Sequence, residues 1–330
     1  MVIPGAYELY RSGTQIDWIA GRLAASVLAC YSWINVIAVD EGKLLGGNAA
    51  ERISSIAALW RRLAGRRYDL CATLYYDRRY KAIALPVAAG RKFSLSHTDR
   101  ETRLLPGRPY MDEFARILLG EADTCRSSSL APVRPECLPP APVARDSKRV
   151  RVAMVPAGAS NMLRQQTLRR WPSGLYVQVA RALLEQGYEV VLVGGPEDTW
   201  VRSEFADLPV TDTIGRMSLP QVIALFDSCD LVVSHDTGPM HLAGVSMAHL
   251  LALFGPTNPN NFMPRREGVR AIWGGEGFAC RPCYDGTTFA PCHENGCMRQ
   301  ITVEMVLAQI REMIEERSVG QASAHRVLTP

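Results

Sequence analysis

Long apolar runs are missing from this 330-residue chain, and so are two common nucleotide-binding signatures. No stretch of about 18 or more residues is apolar and uncharged throughout, which argues against a membrane-spanning helix. The first twenty residues do not combine a basic start with an apolar core, so we expect no secretion signal. No G-x-G-x-x-G follows a predicted strand and no G-x-x-x-x-G-K occurs, which argues against a nicotinamide dehydrogenase and against a P-loop kinase or ATPase.

A large net charge is missing as well. The formal charge of +4 is small for this length and does not suggest binding to nucleic acid. Arginine pairs recur in the first half, at 61–62, 66–67 and 78–79. They are candidates for a face that meets an anionic acceptor or a membrane surface, although a solvated helix face is the favoured interpretation of each pair taken singly.

The cysteines fall into two groups. Nine are present, and five of them stand singly: Cys30, Cys71, Cys125, Cys137 and Cys229. Scattered single cysteines are typical of a reducing compartment. We therefore expect a cytoplasmic protein.

Proline marks a break near the middle of the chain. Five prolines lie between Pro132 and Pro142, which forbids regular structure and predicts a linker. Short apolar strands alternate with helical patterns on both sides, which predicts an α/β fold with parallel sheets in two Rossmann-like domains that face a cleft. The predicted boundaries are 1–126 for the N-terminal domain, 127–147 for the linker, 148–310 for the C-terminal domain, and 311–330 for a final helix end and tail.

One stretch in the second half predicts an anion site. It contains a buried strand at 231–233, a glycine turn, a helix from near Met240 and a second strand at 250–254. This order leaves free backbone N–H groups and the positive end of a helix dipole at the carboxyl edge of the strand, where a diphosphate is favoured. The alternative is an ordinary crossover in which Asp236 caps the helix and His241 only packs.

Three further polar turns follow other predicted strands of the second half. Ligands of open α/β sheets lie beyond the carboxyl ends of the strands, so the four turns are predicted to meet at one site. Their sequences are VPAGAS after strand 150–156, VGGPED after strand 189–193, SHDTGPMH after strand 231–233 and FGPTNP after strand 250–254.

In this order the turns resemble the motifs of glycosyltransferase family 9, the ADP-heptose:lipopolysaccharide heptosyltransferases, over residues 148–305. The resemblance implies a GT-B fold. It also implies transfer of a heptose, with inversion, from a nucleotide donor such as ADP-heptose to a lipopolysaccharide-core or related glycan acceptor, in the cytoplasm or at the cytoplasmic face of the inner membrane. The matching residues are Gly158, Arg169 to Pro172, Gly194 to Asp198, Asp236 to Gly238 with His241, and Phe254 to Pro259.

The resemblance assigns roles at the donor site. Arg169 stands at the family's phosphate-binding lysine position and keeps the positive charge, and Thr237 and Gly238 would add backbone N–H donors. Asp236 matches the residue that binds hydroxyl groups of the donor sugar, and Glu197 matches the residue that binds the ribose. The alternatives are a surface side chain for Arg169 and a plain loop carboxylate for Glu197.

Gly158 and His241 complete the predicted donor site. Gly158 supplies the first glycine turn, whereas His241 is either a ligand contact or a strut that holds the turn after the strand. No Asp-x-Asp pair stands where a sugar-nucleotide metal site would need it. We therefore expect catalysis without a metal cofactor.

Four cysteines are clustered towards the end of the matching region. Cys280, Cys283, Cys292 and Cys297 have the spacing C-x2-C-x8-C-x4-C, which suits four thiolates on one tetrahedral ion. Zinc and iron are both compatible, and four filled positions leave none open for chemistry, so we expect a structural clasp near the donor site. The alternatives are four unrelated thiols and an iron–sulfur electron-transfer centre.

The family's opening strand and its Leu-Gly-Asp loop, which carries the general base, have no counterpart in this sequence. This predicts either a start codon placed too far downstream or a degenerate member that uses another base. Asp40, Asp77 and Asp99 are candidates by residue type alone, and none is assigned. Two alternative functions stay open: a catalytically weak or silent nucleotide-sugar-binding homologue, and a transferase of a different nucleotide sugar.

Overall fold

The chain forms two compact units, Met1–Cys137 and Leu138–Pro330. The boundary between them lies inside the proline-rich segment, where proline removes backbone donors and fixes the backbone away from helix and sheet. The computed structural model describes residues 1–121, 130–146, 148–161, 164–286 and 288–327.

The first unit alternates helices with short strands. Its elements in chain order are α1 (Ile3–Arg11), β1 (Ile16–Gly21), α2 (Arg22–Leu28), β2 (Ile34–Val39), a π-helical turn (Gly42–Gly46), α3 (Ala49–Leu63), β3 (Arg67–Thr73), α4 (Arg78–Ile83), β4 (Ala88–Ser94) and α5 (Tyr110–Leu119). β1 pairs with β2 and β3 pairs with β4, both in parallel. The parallel pairing was expected from the strand–helix alternation, whereas its division between two small sheets was not.

Helix α3 shows how local sequence determines an element of this unit. Asn48 and Glu51 form a reciprocal capping box: the Glu51 N–H donates to Asn48 Oδ1 at 3.0 Å, and the Asn48 N–H donates to Glu51 Oε2 at 2.9 Å. Leu59 and Leu63, four residues apart, are buried on one face in a cluster with Ile37 of β2. The helical pattern of the sequence over 49–63 thus corresponds to α3.

The second unit is built on a six-stranded sheet. Its strands are β5 (Arg151–Val155), β6 (Ser160–Asn161), β7 (Arg164–Gln165), β8 (Glu189–Leu192), β9 (Thr211–Asp212), β10 (Leu231–His235), β11 (His249–Phe254) and β12 (Val269–Trp273). Its helices are α6 (Ser173–Glu185), α7 (Leu219–Asp227), α8 (Gly238–Gly244), α9 (Pro259–Phe262), α10 (Gly296–Arg299) and α11 (Val303–Val327), with 3₁₀ turns at Thr167–Arg169 and Pro196–Phe205. The sheet order is β12-β11-β10-β5-β8-β9, with every neighbouring pair parallel, while β6 and β7 pair antiparallel beside it.

The central strands of this sheet are buried on both faces. Every residue of β5 and of β10 is buried, which is typical of a parallel strand covered by helices on both sides. Leu183 of α6 and Ile310 of α11 belong to one core cluster, and Phe226 of α7 and Met240 of α8 belong to another. Burying one such side chain stabilises the fold by about 1.5–3 kcal/mol relative to exposing it.

Helix α11 is amphipathic. Val306, Ile310 and Met313 are buried at helical spacing, while the exposed Glu312 pairs with Arg270 of β12 at 2.9 Å. Across the ranges that the structure describes, no helix joins sufficient length to sufficient apolarity to cross a lipid bilayer.

The strand order brings the four polar turns to one edge. The chain builds β5, β8 and β9 outward in one direction and then β10, β11 and β12 outward in the other, so the order reverses between β5 and β10. Ligands of open α/β sheets bind at this reversal, beyond the carboxyl ends of the strands. The predicted turns follow β5, β8, β10 and β11, which are four adjacent strands.

Candidate functional site

The turn after β5 is bonded to the turn after β10. Gly158 has a φ of +96°, a left-handed conformation that favours glycine, and a Cβ there would lie 3.0 Å from Thr237 Oγ1. The N–H of Ala159 donates to the same hydroxyl oxygen at 3.0 Å. Two predicted donor residues, Gly158 and Thr237, therefore lie side by side where the strand order reverses.

Asp198 joins the turn after β8 to the same place. Its side chain is buried, and its carboxylate accepts the Gly158 N–H at 2.9 Å and the Gly195 N–H at 2.8 Å. Asp198 was not among the residues with a role predicted from the sequence. The available signal was its position three residues after Gly195 at the start of a helical segment, where a carboxylate caps backbone donors.

Asp236 is 2% exposed at the end of β10. Its Oδ2 accepts a hydrogen bond from the Thr257 hydroxyl at 2.8 Å and lies 3.4 Å from Arg169 Nη1. Burial raises the pKa of this carboxyl, and the Arg169 charge and the Thr257 hydrogen bond oppose that rise. The N-cap of α8 is Thr237, so Asp236 is not the cap of that helix and instead connects two other turns.

Arg169 reaches Asp236 from the segment that leads into α6. Trp171, two residues later, is buried and anchors this segment, because its indole N–H donates to Ile301 O at 2.9 Å. The Arg169 side chain is only 20% exposed, and its Nε is buried without a hydrogen-bond partner among the described residues. A guanidinium carries five N–H donors, so Arg169 can hold Asp236 and still bind an anion.

Arg170 has different partners from its neighbour. Its Nε donates to Gly158 O at 2.5 Å, and its guanidinium lies over the Trp200 ring at 5.4 Å. Burial lowers the pKa of Arg170. Arg170 thus holds the first glycine turn, and Arg169 is the arginine of this pair that faces Asp236.

A buried pair beneath the turns fixes the end of β10 to α6. The Tyr176 hydroxyl lies 3.1 Å from His235 Nδ1, and both side chains are fully buried. Burial, followed by the charges of Arg169 and Arg170, lowers the pKa of His235 to about 3, so its imidazole is neutral. Neither Tyr176 nor His235 was singled out from the sequence, because nothing in the local pattern indicates this long-range contact.

The remaining predicted donor residues lie on the same two turns. Glu197 is exposed at the start of the 3₁₀ turn Pro196–Phe205. Gly238 opens α8, and the position that its Cβ would take is clear of other described atoms. His241 is half-buried on α8, and desolvation lowers its pKa, so it too is neutral.

The four-cysteine segment contacts the turn after β11. The backbone N–H groups of Cys283 and Tyr284 donate to Pro256 O at 3.0 and 3.2 Å. Burial raises the pKa of Cys297, and charge on the other three clustered thiols raises it further, which places the four within electrostatic reach of one another. No group of three or more His, Cys, Asp or Glu side chains in the described ranges is arranged to hold a metal ion. The described part of this segment therefore lies beside the turn after β11, and its cysteines are not arranged there as a metal site.

The three carboxylates considered as a general base all serve local turns. Asp77 caps α4, where it accepts the Arg79 N–H at 2.9 Å and pairs with Arg79 Nη2 at 2.6 Å. Asp99 accepts the Thr102 hydroxyl at 2.8 Å, and this bond holds the pKa of Asp99 below its usual range. Asp40 accepts a backbone N–H three residues later at 3.2 Å. None is assigned as the base.

Sequence comparison finds one matching family model and several similar proteins. Residues 138–293 match the model of glycosyltransferase family 9 (heptosyltransferase). Lipopolysaccharide heptosyltransferase 2 of Salmonella typhimurium is 28% identical over 158 residues, which are 46% of this chain and 44% of that protein. Lipopolysaccharide heptosyltransferase 3 of Escherichia coli is 28% identical over 247 residues, which are 69% of this chain and 71% of that protein. The chain thus spans less than half the length of the first of these relatives.

Structure comparison extends the likeness to both units. The solved structure of ADP-heptose lipopolysaccharide heptosyltransferase II from E. coli superposes with a TM-score of 0.70 at 18% identity, covering 96% of this chain and 95% of that one. Likeness at this identity is evidence of fold. The predicted fold class, α/β of the GT-B type, is confirmed.

Proposed function

We propose that the protein, whose residues 138–293 match the model of glycosyltransferase family 9 (heptosyltransferase), transfers a heptose from ADP-heptose to a lipopolysaccharide-core or related glycan acceptor. The observation that carries the proposal is the Arg169–Asp236 pair at the edge where the strand order reverses, beside Gly158 and Thr237. The two relatives named above, both lipopolysaccharide heptosyltransferases, support it.

Arg169 is the proposed ligand of the donor diphosphate. Breaking the bond between a sugar and a diphosphate leaves negative charge on the leaving group, so the site needs fixed cations or N–H dipoles aimed at that charge. The partly covered Arg169 guanidinium, with a buried Nε that has no partner in the described part of the chain, meets this need. The backbone N–H groups of Thr237 and Gly238 are proposed to bind the same phosphates.

Asp236 is proposed to bind hydroxyl groups of the donor sugar. Its contacts with Thr257 and Arg169 both use Oδ2, and a carboxylate has about four lone-pair sites. In this arrangement Arg169 binds the phosphates and Asp236 binds the sugar. The pair thereby aligns the bond between sugar and diphosphate that is broken. Alignment of this kind lowers the barrier by fixing the reacting groups before the reaction.

Calorimetric titration of the purified chain with ADP, UDP and GDP tests the donor class. We expect ADP to bind at least about tenfold more tightly than the other two, a difference of about 1.4 kcal/mol. Equal affinity for all three nucleotides, or no binding of any, would contradict the proposed donor.

We also propose that Cys280, Cys283, Cys292 and Cys297 hold one structural zinc or iron ion. Their spacing and mutual electrostatic influence support this, and four thiolates suit either metal. The cysteines would hold the segment together where it contacts Pro256, apart from the proposed reaction at Arg169 and Asp236.

Metal analysis of protein purified under reducing conditions without chelator is expected to give about one zinc or iron per chain. Cys283→Ser is expected to lower the metal content and the melting temperature, because it removes one of four ligands. Cys71→Ser is the matched control, since Cys71 is a half-buried cysteine of the first unit, and it should retain the metal. Unmutated protein that contains no metal would leave only the interpretation of four unrelated thiols.

A further inference from the structure

The segment that leads to the unit boundary is bonded to the first unit around Cys30. The backbone N–H groups of Glu136 and Cys137 both donate to the Cys30 carbonyl oxygen, at 2.9 and 3.1 Å. The Tyr31 hydroxyl donates to Val133 O at 2.8 Å, and the Glu136 carboxylate accepts a backbone N–H from the same turn at 2.7 Å. These bonds fix the segment on the turn that follows α2.

This contact brings two free cysteines together. The 3.1 Å distance from Cys137 N to Cys30 O, added to the covalent paths to the two Cα atoms, limits the Cα–Cα separation to about 7.3 Å even for a straight path. The path bends at both atoms, so the separation is shorter. Disulfides join cysteines with Cα atoms roughly 4.4–6.8 Å apart, so this contact keeps the two cysteines close to the separation that a disulfide requires.

We infer that Cys30 and Cys137 form a site of reversible disulfide modification, closed by a low-molecular-weight disulfide such as oxidised glutathione. The Cys137 thiolate attacks one glutathione sulfur, which forms a mixed disulfide and releases one glutathione thiolate. The Cys30 thiolate then attacks the Cys137 sulfur and releases the second. The two protons given up by the cysteines are taken up by the two glutathione thiolates, so two cysteines are oxidised and one glutathione disulfide is reduced.

The surroundings of the two thiols set the order of these steps. Cys137 is exposed, whereas Cys30 is buried behind it. Burial, followed by the charge of Cys137, raises the pKa of Cys30 and so lowers its thiolate fraction near neutral pH. The Cys30 thiol also has a local acceptor, Ser26 O, at 3.5 Å. Cys137 is therefore the thiol that reacts first, and Cys30 is the one that resolves the mixed disulfide.

The modification would replace a hydrogen-bonded attachment of residues 133–137 by a covalent one. Its loop would run from Cys30 to Cys137 and would enclose every element of the first unit from β2 onward, so it constrains the unfolded chain strongly. We expect the oxidised protein to unfold at a higher urea concentration than the reduced protein. This inference does not depend on the proposed heptosyl transfer, because it involves no donor-site residue.

Thiol mapping of the full chain tests the inference. Reduced protein is incubated with oxidised glutathione, free thiols are blocked, and a non-reducing digest is analysed by mass spectrometry. We expect a peptide that links Cys30 to Cys137, the loss of both as free thiols, and full reversal by dithiothreitol. A lasting glutathione adduct on Cys137 without the link, or a link from Cys137 to any other cysteine, would overturn the inference.

Three variants serve as controls for this test. Cys30→Ser should trap Cys137 as a stable glutathione adduct, because the resolving thiol is gone. Cys71→Ser, the matched control, should form the Cys30–Cys137 link as the unmutated chain does. Cys137→Ser cannot form the link, because it lacks one of the two sulfur atoms. It therefore serves as the blank for the mass assignment. Mapping of the unmutated chain decides the question alone if Cys30→Ser does not fold.

Discussion

Asp236→Asn is expected to lower kcat by about 100-fold while changing ADP affinity by less than about threefold. A hydrogen bond to a charged group contributes about 1.5–3 kcal/mol, and each 1.36 kcal/mol is tenfold in rate. ADP lacks the sugar that Asp236 is proposed to bind, so its affinity reports on the rest of the site. Asparagine keeps the size of the side chain and an acceptor for the Thr257 hydroxyl but loses the charge that faces Arg169.

Asp207→Asn is the matched control for this variant. Asp207 is an exposed aspartate of the same unit, so its replacement should leave kcat unchanged. Thermal melting of both variants shows whether the fold is intact. Equal losses of turnover and ADP affinity in Asp236→Asn would show that its proposed role as a sugar ligand is wrong.

Arg169→Ala is expected to weaken binding of ADP-heptose by about 1.5–3 kcal/mol, which is about 10- to 150-fold in Kd. The substitution removes the guanidinium proposed to hold the diphosphate. The donor affinity of Arg169→Lys should lie between that of the unmutated chain and that of Arg169→Ala, because lysine keeps the charge but lacks the planar pair of donors. Titration calorimetry with ADP and with ADP-heptose measures both effects.

Arg181→Ala controls for the loss of an arginine, because Arg181 is exposed on α6, the helix that Arg169 precedes. It should bind the donor as the unmutated chain does. Arg169→Ala should also melt at a lower temperature, since Asp236 is 2% exposed and loses its charged partner. Unchanged donor affinity in Arg169→Ala would remove Arg169 from the site.

The elements of the second unit could be predicted because their signals are local. The segment 219–228, whose sequence is typical of a helix, corresponds to α7, where Ser218 and Gln221 form a capping box and Pro220 lies in the first turn. The predicted strand 250–254 corresponds to β11, which is an unbroken apolar run from Leu250 to Phe254. Parallel pairing then places the turns that follow these strands on one edge, which is why the sequence alone could locate the candidate site.

The bonds that shape the site could not be predicted, because they join residues far apart in the chain. Asp198 accepts a hydrogen bond from the N–H of Gly158, 40 residues earlier in the chain. The residue type of Asp198 and its position after the glycines do not identify Gly158 as its partner. Tyr176 and His235 are 59 residues apart in the chain and lie within hydrogen-bond distance. In the sequence, each looks like an ordinary residue of a buried helix or strand. Local patterns specify helices, strands and turns, whereas these contacts depend on how the elements pack.

The first unit shows the same limit in its architecture. The strand–helix alternation predicted parallel pairing, which β1–β2 and β3–β4 confirm. Helix α1 was not predicted. Pro4 lies in its first turn, where proline is tolerated. In a sequence, however, proline usually indicates the end or the absence of a helix.

Transfer of one heptose is the most direct test of the central claim. The purified chain is incubated with ADP-heptose and a lipopolysaccharide acceptor with a truncated core, and ADP release and acceptor mass are followed together. We predict that ADP is released only when the acceptor is present, in an amount equal to the heptose added, and that Asp236→Asn slows both by about 100-fold. ADP binding without any gain in acceptor mass would contradict the proposed transfer and would identify the protein as a nucleotide-sugar-binding homologue.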